Sequence, residues 1–353
     1  MMSGFAIYRL PREDTATIIR QKDGQPAELR SCTDLNGRSG FVVAPFEVRS
    51  DQPILLIRPD EVEHVRVADI PLPLDEGEAV ASSVLRDTRA YYSIDFANFH
   101  AQLEQGTFRK IVLARCSDET TPVPLSPMTL FRRACDLYPR MFISLVDTPK
   151  SGCWLTATPE ILLEGGGHHW QTIALAGTMK LEGEHLKGEG ETLNWATKNI
   201  QEQRYVATYI AECLEQFSRD FREEGPYTVR AANLVHLRSD FSFTLSASDR
   251  IGDLLQQLHP TPAVCGLPKR DTFRFIVGNE HTPRRYYSGF MGMLAPESQA
   301  HLYVSLRCMN IEGSTYHLYA GGGLLKGSTE EQEWQETEAK LETMRRCIAT
   351  KIM

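Results

Sequence analysis

A lysine interrupts an otherwise apolar row in one stretch of the sequence. Residues 108–115 follow the alternating pattern of a β-strand. Lys110 falls on the same face of this strand as Val112 and Ala114. The pattern leaves two interpretations open. The side-chain stem can cover apolar surface while its ammonium group reaches water. Alternatively, burial disfavours the charged form, and the neutral amine can then act as a general base.

Two glutamates also lie where a charge needs an explanation. Glu160 follows Thr158 and Pro159 in a turn between two apolar strands, at the rim of a predicted sheet. The pattern alone allows either a plain turn carboxylate or a functional group. Glu202 lies in line with the apolar stripe that begins at Val206 on a predicted long helix. Such a carboxylate either faces water near the first turn or has a partner or a cation inside the protein.

The predicted last helix carries a further group of charges. Glu333, Glu336 and Lys340 are spaced i, i+3 and i+7, so two carboxylates and an amine share one helix face. Surface ion pairs explain this spacing, and so does a site for a hard cation. Because no histidine or cysteine lies nearby in the sequence, the cation expected at such a site is Mg²⁺ rather than zinc.

Three other positions could contact an anion or a metal. Arg307 alternates within a predicted strand, where its guanidinium would suit a carboxylate or would simply face solvent. The run 321–323 is three glycines between a predicted strand and a predicted helix, which could let backbone N–H groups approach an anion. The pair His168 and His169 follows three glycines and predicts a hairpin turn rather than a metal site.

The fold that must position these residues mixes consecutive strands with occasional helices. Several strands are close enough in sequence to form hairpins, which implies antiparallel pairing. Regular strand–helix–strand alternation is absent, so the sequence predicts an α+β fold with helices packed on large antiparallel sheets. A capping box of Ser328 and Glu331 predicts the start of the last helix. The predicted strands are 41–46, 54–57, 108–115, 141–146, 153–158, 160–164, 169–176, 227–237, 241–245, 287–294, 302–311 and 315–320, and the predicted helices are 92–103, 126–139, 198–221, 251–258, 272–277 and 328–348.

Composition limits the partners and the compartment. The 353 residues carry 38 Lys and Arg against 46 Asp and Glu, a net charge of −8. This balance disfavours nucleic acid and acidic membranes as partners but allows a basic pocket for a small anion. No apolar run is long enough to span a membrane and the start lacks a signal pattern, so we expect a cytoplasmic protein. The sequence leaves open whether it is a monomer or a homodimer. The eight cysteines are scattered singly, which predicts reduced thiols and no zinc site.

Eight ordered segments together resemble the chorismate-utilising enzymes, the family of anthranilate synthase component I, and among them the isochorismate synthases. The similarity runs from about Tyr92 to Met344. It implies that residues 86–353 form a chorismate-binding catalytic domain. Residues 1–85 match poorly and are expected to be a strand-rich region of the same compact fold. The segments are RKIVLAR (109–115), TPE (158–160), LAGT (175–178), KNIQE (198–202), HPTPAVCG (259–266), VSLR (304–307), YAGGG (319–323) and EWQE (333–336).

The resemblance also implies a fold, a reaction and residue roles. Large sheets would pack together with helices outside and a site buried between them. The reaction would be the Mg²⁺-dependent isomerisation of chorismate to isochorismate, by water addition at C2 and loss of the C4 hydroxyl, for menaquinone or siderophore biosynthesis. Lys110 would be the base and Glu160 the acid. The implied metal ligands are Glu202, Glu333 and Glu336, and the implied substrate-binding residues are Gly177, Thr178, His259, Arg307, Gly321 and Lys340.

Related enzymes with other products define the alternatives. Aminodeoxychorismate synthases typically carry a lysine where Ala176 stands, and anthranilate synthases typically carry glutamine at the position of Lys110. Both differences favour water as the nucleophile over ammonia. Salicylate synthases use the lysine and then eliminate pyruvate, and no residue in this sequence excludes that outcome. A catalytically silent binding domain is disfavoured because Lys110, Glu160, Glu202 and Glu336 are all present.

Overall fold

The computed structural model describes residues 4–72, 82–83, 88–180, 194–231, 234–245 and 250–349. Within these residues lie nineteen strands, six α-helices and two short 3₁₀ helices. The strands are β1 (Gly4–Arg9), β2 (Thr15–Gln21), β3 (Ala27–Leu29), β4 (Gly40–Ala44), β5 (Ile54–Ile57), β6 (Glu61–Arg66), β7 (Ser82–Ser83), β8 (Lys110–Thr120), β9 (Phe142–Thr148), β10 (Gly152–Thr158), β11 (Ile161–Gly166), β12 (His169–Lys180), β13 (Arg222–Ala231), β14 (Leu234–Thr244), β15 (Gly266–Leu267), β16 (Phe290–Leu294), β17 (Ala300–Val304), β18 (Cys308–Glu312) and β19 (Thr315–Leu324). The helices are α1 (Thr88–Glu104), α2 (Pro127–Leu137), α3 (Thr197–Leu214), α4 (Ile251–Leu258), α5 (Lys269–Asn279) and α6 (Glu330–Ile348).

Two antiparallel sheets contain all of these strands. The ten-stranded sheet has the order β15-β8-β19-β18-β10-β9-β1-β2-β6, and β7 also pairs with β8. The nine-stranded sheet has the order β13-β14-β12-β11-β17-β16-β4-β5-β3. Apolar side chains from both sheets form a shared core, in which the rings of Phe142 and Tyr303 stack with centroids 4.2 Å apart. The predicted α+β class with large antiparallel sheets is therefore confirmed.

Helices cover the outer faces of the two sheets. Helices α3 and α4 pack on the nine-stranded sheet, and α2 and α6 pack on the ten-stranded sheet. Helices α1 and α5 cover the region around β8. None of the helices in the described residues combines the length and apolar character needed to cross a membrane. No disulfide joins any of the eight cysteines, all of which lie within the described residues.

The strands nearest the amino terminus are integrated into both sheets. Strand β1 pairs with β9, and β4 pairs with β16. The predicted division between residues 85 and 86 lies outside the described residues and stays a prediction.

One predicted strand proves to be two strands in different sheets. The segment 302–311 was expected to be continuous, but β17 belongs to the nine-stranded sheet and β18 to the ten-stranded sheet. The chain crosses between the sheets at residues 305–307, and Arg307 has a φ of 47°. The predicted strand alternation of Arg307 is therefore wrong, because a left-handed residue breaks the two-residue period.

Other element boundaries also differ from the predictions. The segment 227–237 was predicted as one strand, but it contains the end of β13 and the start of β14, which pair with each other. The helix predicted over 198–221 ends at Leu214. The three glycines at 321–323 lie inside β19 rather than in a loop. The predicted capping box is absent: Thr329 is the N-cap of α6, and Ser328 Oγ accepts a hydrogen bond from Leu325 N.

A buried ion pair satisfies backbone groups at the edge of β8, beyond the end of the two-residue strand β15. Arg284 and Glu280 form a bidentate pair at 2.6 and 2.7 Å. Glu280 also accepts a hydrogen bond from Ala114 N, and Arg284 donates to the carbonyl oxygens of Val112 and Val264. The pair thus satisfies backbone groups that would be costly to leave unpaired in the interior.

We expect Glu280→Gln to lower the free energy of unfolding by about 3 kcal/mol, because it leaves the buried guanidinium without its counter-charge. Urea unfolding followed by circular dichroism measures the change. Glu63→Gln is the control, since Glu63 pairs with Arg20 at the surface and should contribute less than about 1 kcal/mol. Equal losses in the two variants would contradict this account of the β8 edge.

Candidate active site

A cavity of about 70 Å³ lies between the two sheets, close to the point where the chain crosses from β17 to β18. Both sheets, α3 and α6 contribute to its walls. Apolar and aromatic side chains alternate there with acids and bases, which is typical of a site for a small polar ligand. The lining residues are Val112, Pro159, Glu160, Leu175, Ala176, Gly177, Thr178, Glu202, His236, Ala263, Val264, Tyr287, Leu306, Arg307, Tyr319, Ala320, Gly321, Gly323 and Lys340.

The lysine of β8 and the glutamate of α3 meet at this cavity. Lys110 is completely buried, and its Nζ lies 2.9 Å from Oε1 of Glu202. Burial alone would raise the pKa of Glu202, but the positive charges of Lys110, Lys198 and Lys340 outweigh that effect and hold the pKa below its usual value. The structure therefore excludes both a snorkelling lysine and a water-facing carboxylate.

Glycine at position 323 makes room for this pair. A Cβ atom on Gly323 would overlap the carboxylate of Glu202 and lie 2.8 Å from Cε of Lys110. Gly321, two residues earlier on the same face of β19, would place a Cβ 2.8 Å from the hydroxyl of Tyr287. These glycines provide space for side chains, whereas the sequence had suggested a backbone that approaches an anion.

Glu160 is a buried acid whose pKa lies above its ordinary value. Its side chain lines the cavity and only 3% of the residue is exposed. Burial raises the pKa of Glu160 to about 8, although the nearby charges of Lys110, Arg307 and Lys340 oppose that rise. A carboxyl group in this state can donate a proton, which a plain turn carboxylate at the surface could not do near pH 7.

A histidine that the sequence analysis missed positions Arg307. His236 Nε2 lies 2.6 Å from a terminal nitrogen of Arg307. Burial and the positive charges of Arg307 and Lys340 hold the pKa of His236 well below its usual value, so the ring is neutral. Nδ1 can then donate to the carbonyl oxygen of Gly177 at 3.2 Å, while Nε2 accepts from Arg307. Burial lowers the pKa of Arg307 to about 10, which leaves it charged near pH 7.

Strand pairing is the feature that identifies His236 as a residue of this site. His236 on β14 lies opposite Thr178 on β12, next to a bulge at Gly177. Gly177 has a φ of 68° there, which favours glycine. Because 227–237 was predicted as one strand, the partner of the segment 175–178 was not recognised from sequence.

The two predicted metal ligands on α6 are held by lysines. Lys198 forms an ion pair with Glu333. Lys340 lies 2.8 Å from Glu336 and also donates to the carbonyl oxygen of Gly321. Burial and the charge of Glu336 raise the pKa of Glu333, whereas Lys198 opposes the rise. The other carboxylate oxygen of Glu333, Oε2, is buried and has no hydrogen-bond partner among the described residues.

The donors in this region suit a hard cation. Glu202, Glu333 and Glu336 offer carboxylate oxygens only, and Glu333 has an unsatisfied oxygen available. With the lysines paired to them, the three carboxylates do not all lie within 4.8 Å of one another. A cation would therefore have to compete with the lysines.

Most of the predicted site residues converge on the cavity. Those that line it are Glu160, Gly177, Thr178, Glu202, Arg307, Gly321 and Lys340, and Lys110 joins them through Glu202. His259 does not line it. Its Nε2 lies 3.2 Å from the carbonyl oxygen of Pro45, its ring packs against Phe290, and burial lowers its pKa to about 3. Ala263 and Val264 of the same segment line the cavity, and the substrate-binding role of His259 stays a prediction.

Known proteins share this sequence pattern and this fold. Residues 72–349 match the family model described as chorismate binding enzyme. Isochorismate synthase MenF of Escherichia coli K12 is 32% identical over 69% of this chain and 56% of its own length. Isochorismate synthase DhbC of Bacillus subtilis 168 is 31% identical over 70% of this chain and 65% of its own length.

Structural similarity extends over nearly the whole chain. The solved structure of MenF, the menaquinone-specific isochorismate synthase from E. coli, aligns with a TM-score of 0.80 and 22% identity over 98% of this chain and 89% of that one. The sequence alignments themselves span less than two thirds of the length of the two relatives above.

The protonated state of Glu160 predicts an unusual pH dependence of stability. Between about pH 4.5 and about pH 8 the folded chain holds a proton that the unfolded chain has released, so stability falls as pH rises through this range. Glu160→Gln removes this effect. We expect the variant to unfold at a higher urea concentration than the parent at pH 8, with the gain disappearing near pH 4.5.

Glu164→Gln is the control with the opposite sign. Burial would raise the pKa of Glu164, but hydrogen bonding and charge from His301 lower it overall. Replacing Glu164 should therefore cost stability at pH 8 and cost less as the pH falls below about 4.5. A Glu160→Gln variant that loses stability at pH 8, as this control does, would show that Glu160 is ionised in the folded protein.

Proposed function

The chain belongs to the chorismate-binding enzymes, and we propose that it is an isochorismate synthase, an isomerase that converts chorismate to isochorismate. The observation that carries this proposal is the buried carboxyl group of Glu160 in a cavity that is also lined by Glu202, the ion-pair partner of Lys110. Acid and base in one closed site suit a reaction that adds one hydroxyl group and removes another. The names of the relatives in Escherichia coli and Bacillus subtilis support the same activity.

Lys110 and Glu160 would divide the proton transfers. Water would form a bond to C2 of chorismate and give up a proton to Lys110, the proposed general base. The ring double bond shifts and the bond between C4 and its oxygen breaks. Glu160 gives its proton to the departing hydroxyl, which leaves as water. Glu202 would help Lys110 to hold the proton it has accepted, because their charges are in contact at 2.9 Å.

Cationic and backbone groups would hold the substrate carboxylates. Arg307 offers a planar guanidinium that can bind a carboxylate bidentately. His236 supports it from behind, because a neutral ring accepts a hydrogen bond without repelling the charge. Lys340 supplies a second cation, and the backbone around Gly177, Thr178 and Gly321 supplies polar groups at the cavity wall.

We place the Mg²⁺ of this reaction at Glu202, Glu333 and Glu336. The cation would neutralise a substrate carboxylate as it binds. The support is the all-oxygen donor set and the unsatisfied Oε2 of Glu333. Lys198 and Lys340, which neutralise Glu333 and Glu336 in the structure described above, would release them in part.

The product would be isochorismate for menaquinone or siderophore biosynthesis. Relatives carry names from both pathways, since one is menaquinone-specific and another is vibriobactin-specific. Salicylate synthase remains the second candidate because it would share the water addition at Lys110. The protein would act in the cytoplasm as a monomer or homodimer on this small substrate, without nucleic acid or membrane as a partner.

Analysis of products from the purified protein tests the proposal. Incubation with chorismate and Mg²⁺ should give isochorismate, separated by chromatography. Glu160→Gln should bind chorismate but lose at least about 100-fold in kcat, because an amide cannot donate the proton. Glu164→Gln should keep normal turnover. Salicylate with pyruvate, or anthranilate when ammonia is supplied, would identify the alternative enzymes, and near-normal kcat for Glu160→Gln would remove Glu160 from the mechanism.

The metal proposal predicts a specific change in Mg²⁺ requirement. Activity should disappear in excess chelator and return with added Mg²⁺. Glu336→Gln should raise the Mg²⁺ concentration needed for half-maximal activity by at least about tenfold, because a carboxylate ligand is lost. Glu342→Gln on the same helix is the control, since Glu342 pairs with Arg345 near the surface. Full activity without any divalent cation would refute the site.

A further inference from the structure

A second group of potential metal ligands lies in the ten-stranded sheet, away from the cavity. Among the described residues, Cys116, Asp118 and His317 place one sulfur, one oxygen and one nitrogen within 4.8 Å of each other. Asp118 Oδ1 lies 3.6 Å from Cys116 Sγ and 2.7 Å from His317 Nδ1. None of the three lines the cavity of the proposed reaction.

Strand pairing brings these residues together from distant parts of the sequence. Cys116 and Asp118 are two positions apart on β8 and therefore share a face. His317 on β19 is the direct partner of Asp118 in the antiparallel ladder. Lys110 belongs to the same row of β8, but six residues earlier, or about 20 Å along the strand. The cluster is thus held by rigid elements and is separate from the proposed Mg²⁺ site.

The donor types indicate which cation would bind. A thiolate, an imidazole and a carboxylate favour zinc or a similar borderline metal, whereas Mg²⁺ rarely accepts sulfur. Tetrahedral zinc with bonds of about 2.0–2.3 Å separates its ligands by roughly 3.3–3.7 Å. The sulfur–oxygen distance already fits this range, and the histidine would have to move by about 0.6 Å from the aspartate. Glu312 Oε2 lies 3.6 Å from Nε2 of His317, where a carboxylate can orient the ring while Nδ1 binds the metal.

We infer that Cys116, Asp118 and His317 form a Zn²⁺-class metal site that joins β8 to β19. Binding displaces the thiol proton of Cys116 and replaces the hydrogen bond between Asp118 and His317 by bonds to the metal. Water completes the coordination, and the thiol proton passes to solvent. Because the folded chain presents the ligands together and the unfolded chain does not, the metal stabilises the fold.

Cobalt substitution tests the ligand set directly. The purified protein, reduced and kept in excess Mg²⁺ to saturate the carboxylate site, is titrated with Co²⁺. We expect one bound Co²⁺ per chain and a thiolate-to-cobalt charge-transfer band in the near ultraviolet. Cys116→Ser should abolish the band and weaken binding by at least about tenfold. Cys153→Ser is the matched control, because Cys116 and Cys153 are the two cysteines that are not fully buried.

Protection of Cys116 from alkylation by Zn²⁺ extends the test to the protein without substitutions. Zn²⁺ should slow alkylation of Cys116 but not of Cys153, as measured by mass spectrometry of the labelled peptides. It should also raise Tm, an effect that His317→Gln should remove. His301→Gln should retain the rise in Tm, since His301 pairs with Glu164 and belongs to no group of potential metal ligands among the described residues. Absence of Co²⁺ binding, a band that survives in Cys116→Ser, or equal alkylation of Cys116 with and without Zn²⁺ would overturn the inference.

Discussion

Burial of a lysine and a glutamate side by side between two sheets constrains the rest of this structure. Each charge would cost several kcal/mol to remove from water alone, and the pair is tolerable only when its geometry is fixed. Lys110 is fixed because β8 lies between β15 and β19 in the sheet. Its neighbours on the strand edge are tied to the bidentate pair of Glu280 and Arg284. The rigid sheet is therefore what allows an amine to be kept in the interior at all.

The same constraint accounts for the glycine at position 323 of β19. The strand must pass next to β8 to complete the sheet, yet the head groups of Lys110 and Glu202 occupy the space where a side chain at position 323 would point. Glycine loses more conformational entropy on folding than other residues and weakens a strand interior. Its presence here marks a position where room for the buried ion pair outweighs local strand stability.

The sequence was most informative where a residue type conflicts with its local pattern. Lys110 in an apolar row and Glu202 on an apolar stripe are visible without a structure, because periodicity defines which face is buried. The conformation of Arg307 was not predictable in this way, since a crossing between sheets has no period of its own. His236 and the cluster of Cys116, Asp118 and His317 were missed for a related reason. Strand pairing brings together positions that are far apart in the chain, and spacing along the sequence does not reveal which positions pair.

The charges at the cavity also connect metal binding to substrate binding. With Glu160 neutral and every other side chain at its formal charge before reaction, four basic groups face three carboxylates, which leaves a single excess positive charge. A dianionic substrate alone would make the site negative, and a divalent cation alone would add to the lysines and Arg307. A dianionic substrate and a divalent cation together leave the net charge of the site unchanged. Each should therefore favour binding of the other in a low-dielectric interior. Under the proposal, the lysines would hold the carboxylates in place until the metal and the substrate bind, and this would explain why the site has as many lysines as carboxylate ligands. The cations are Lys110, Lys198, Lys340 and Arg307, and the carboxylates are Glu202, Glu333 and Glu336.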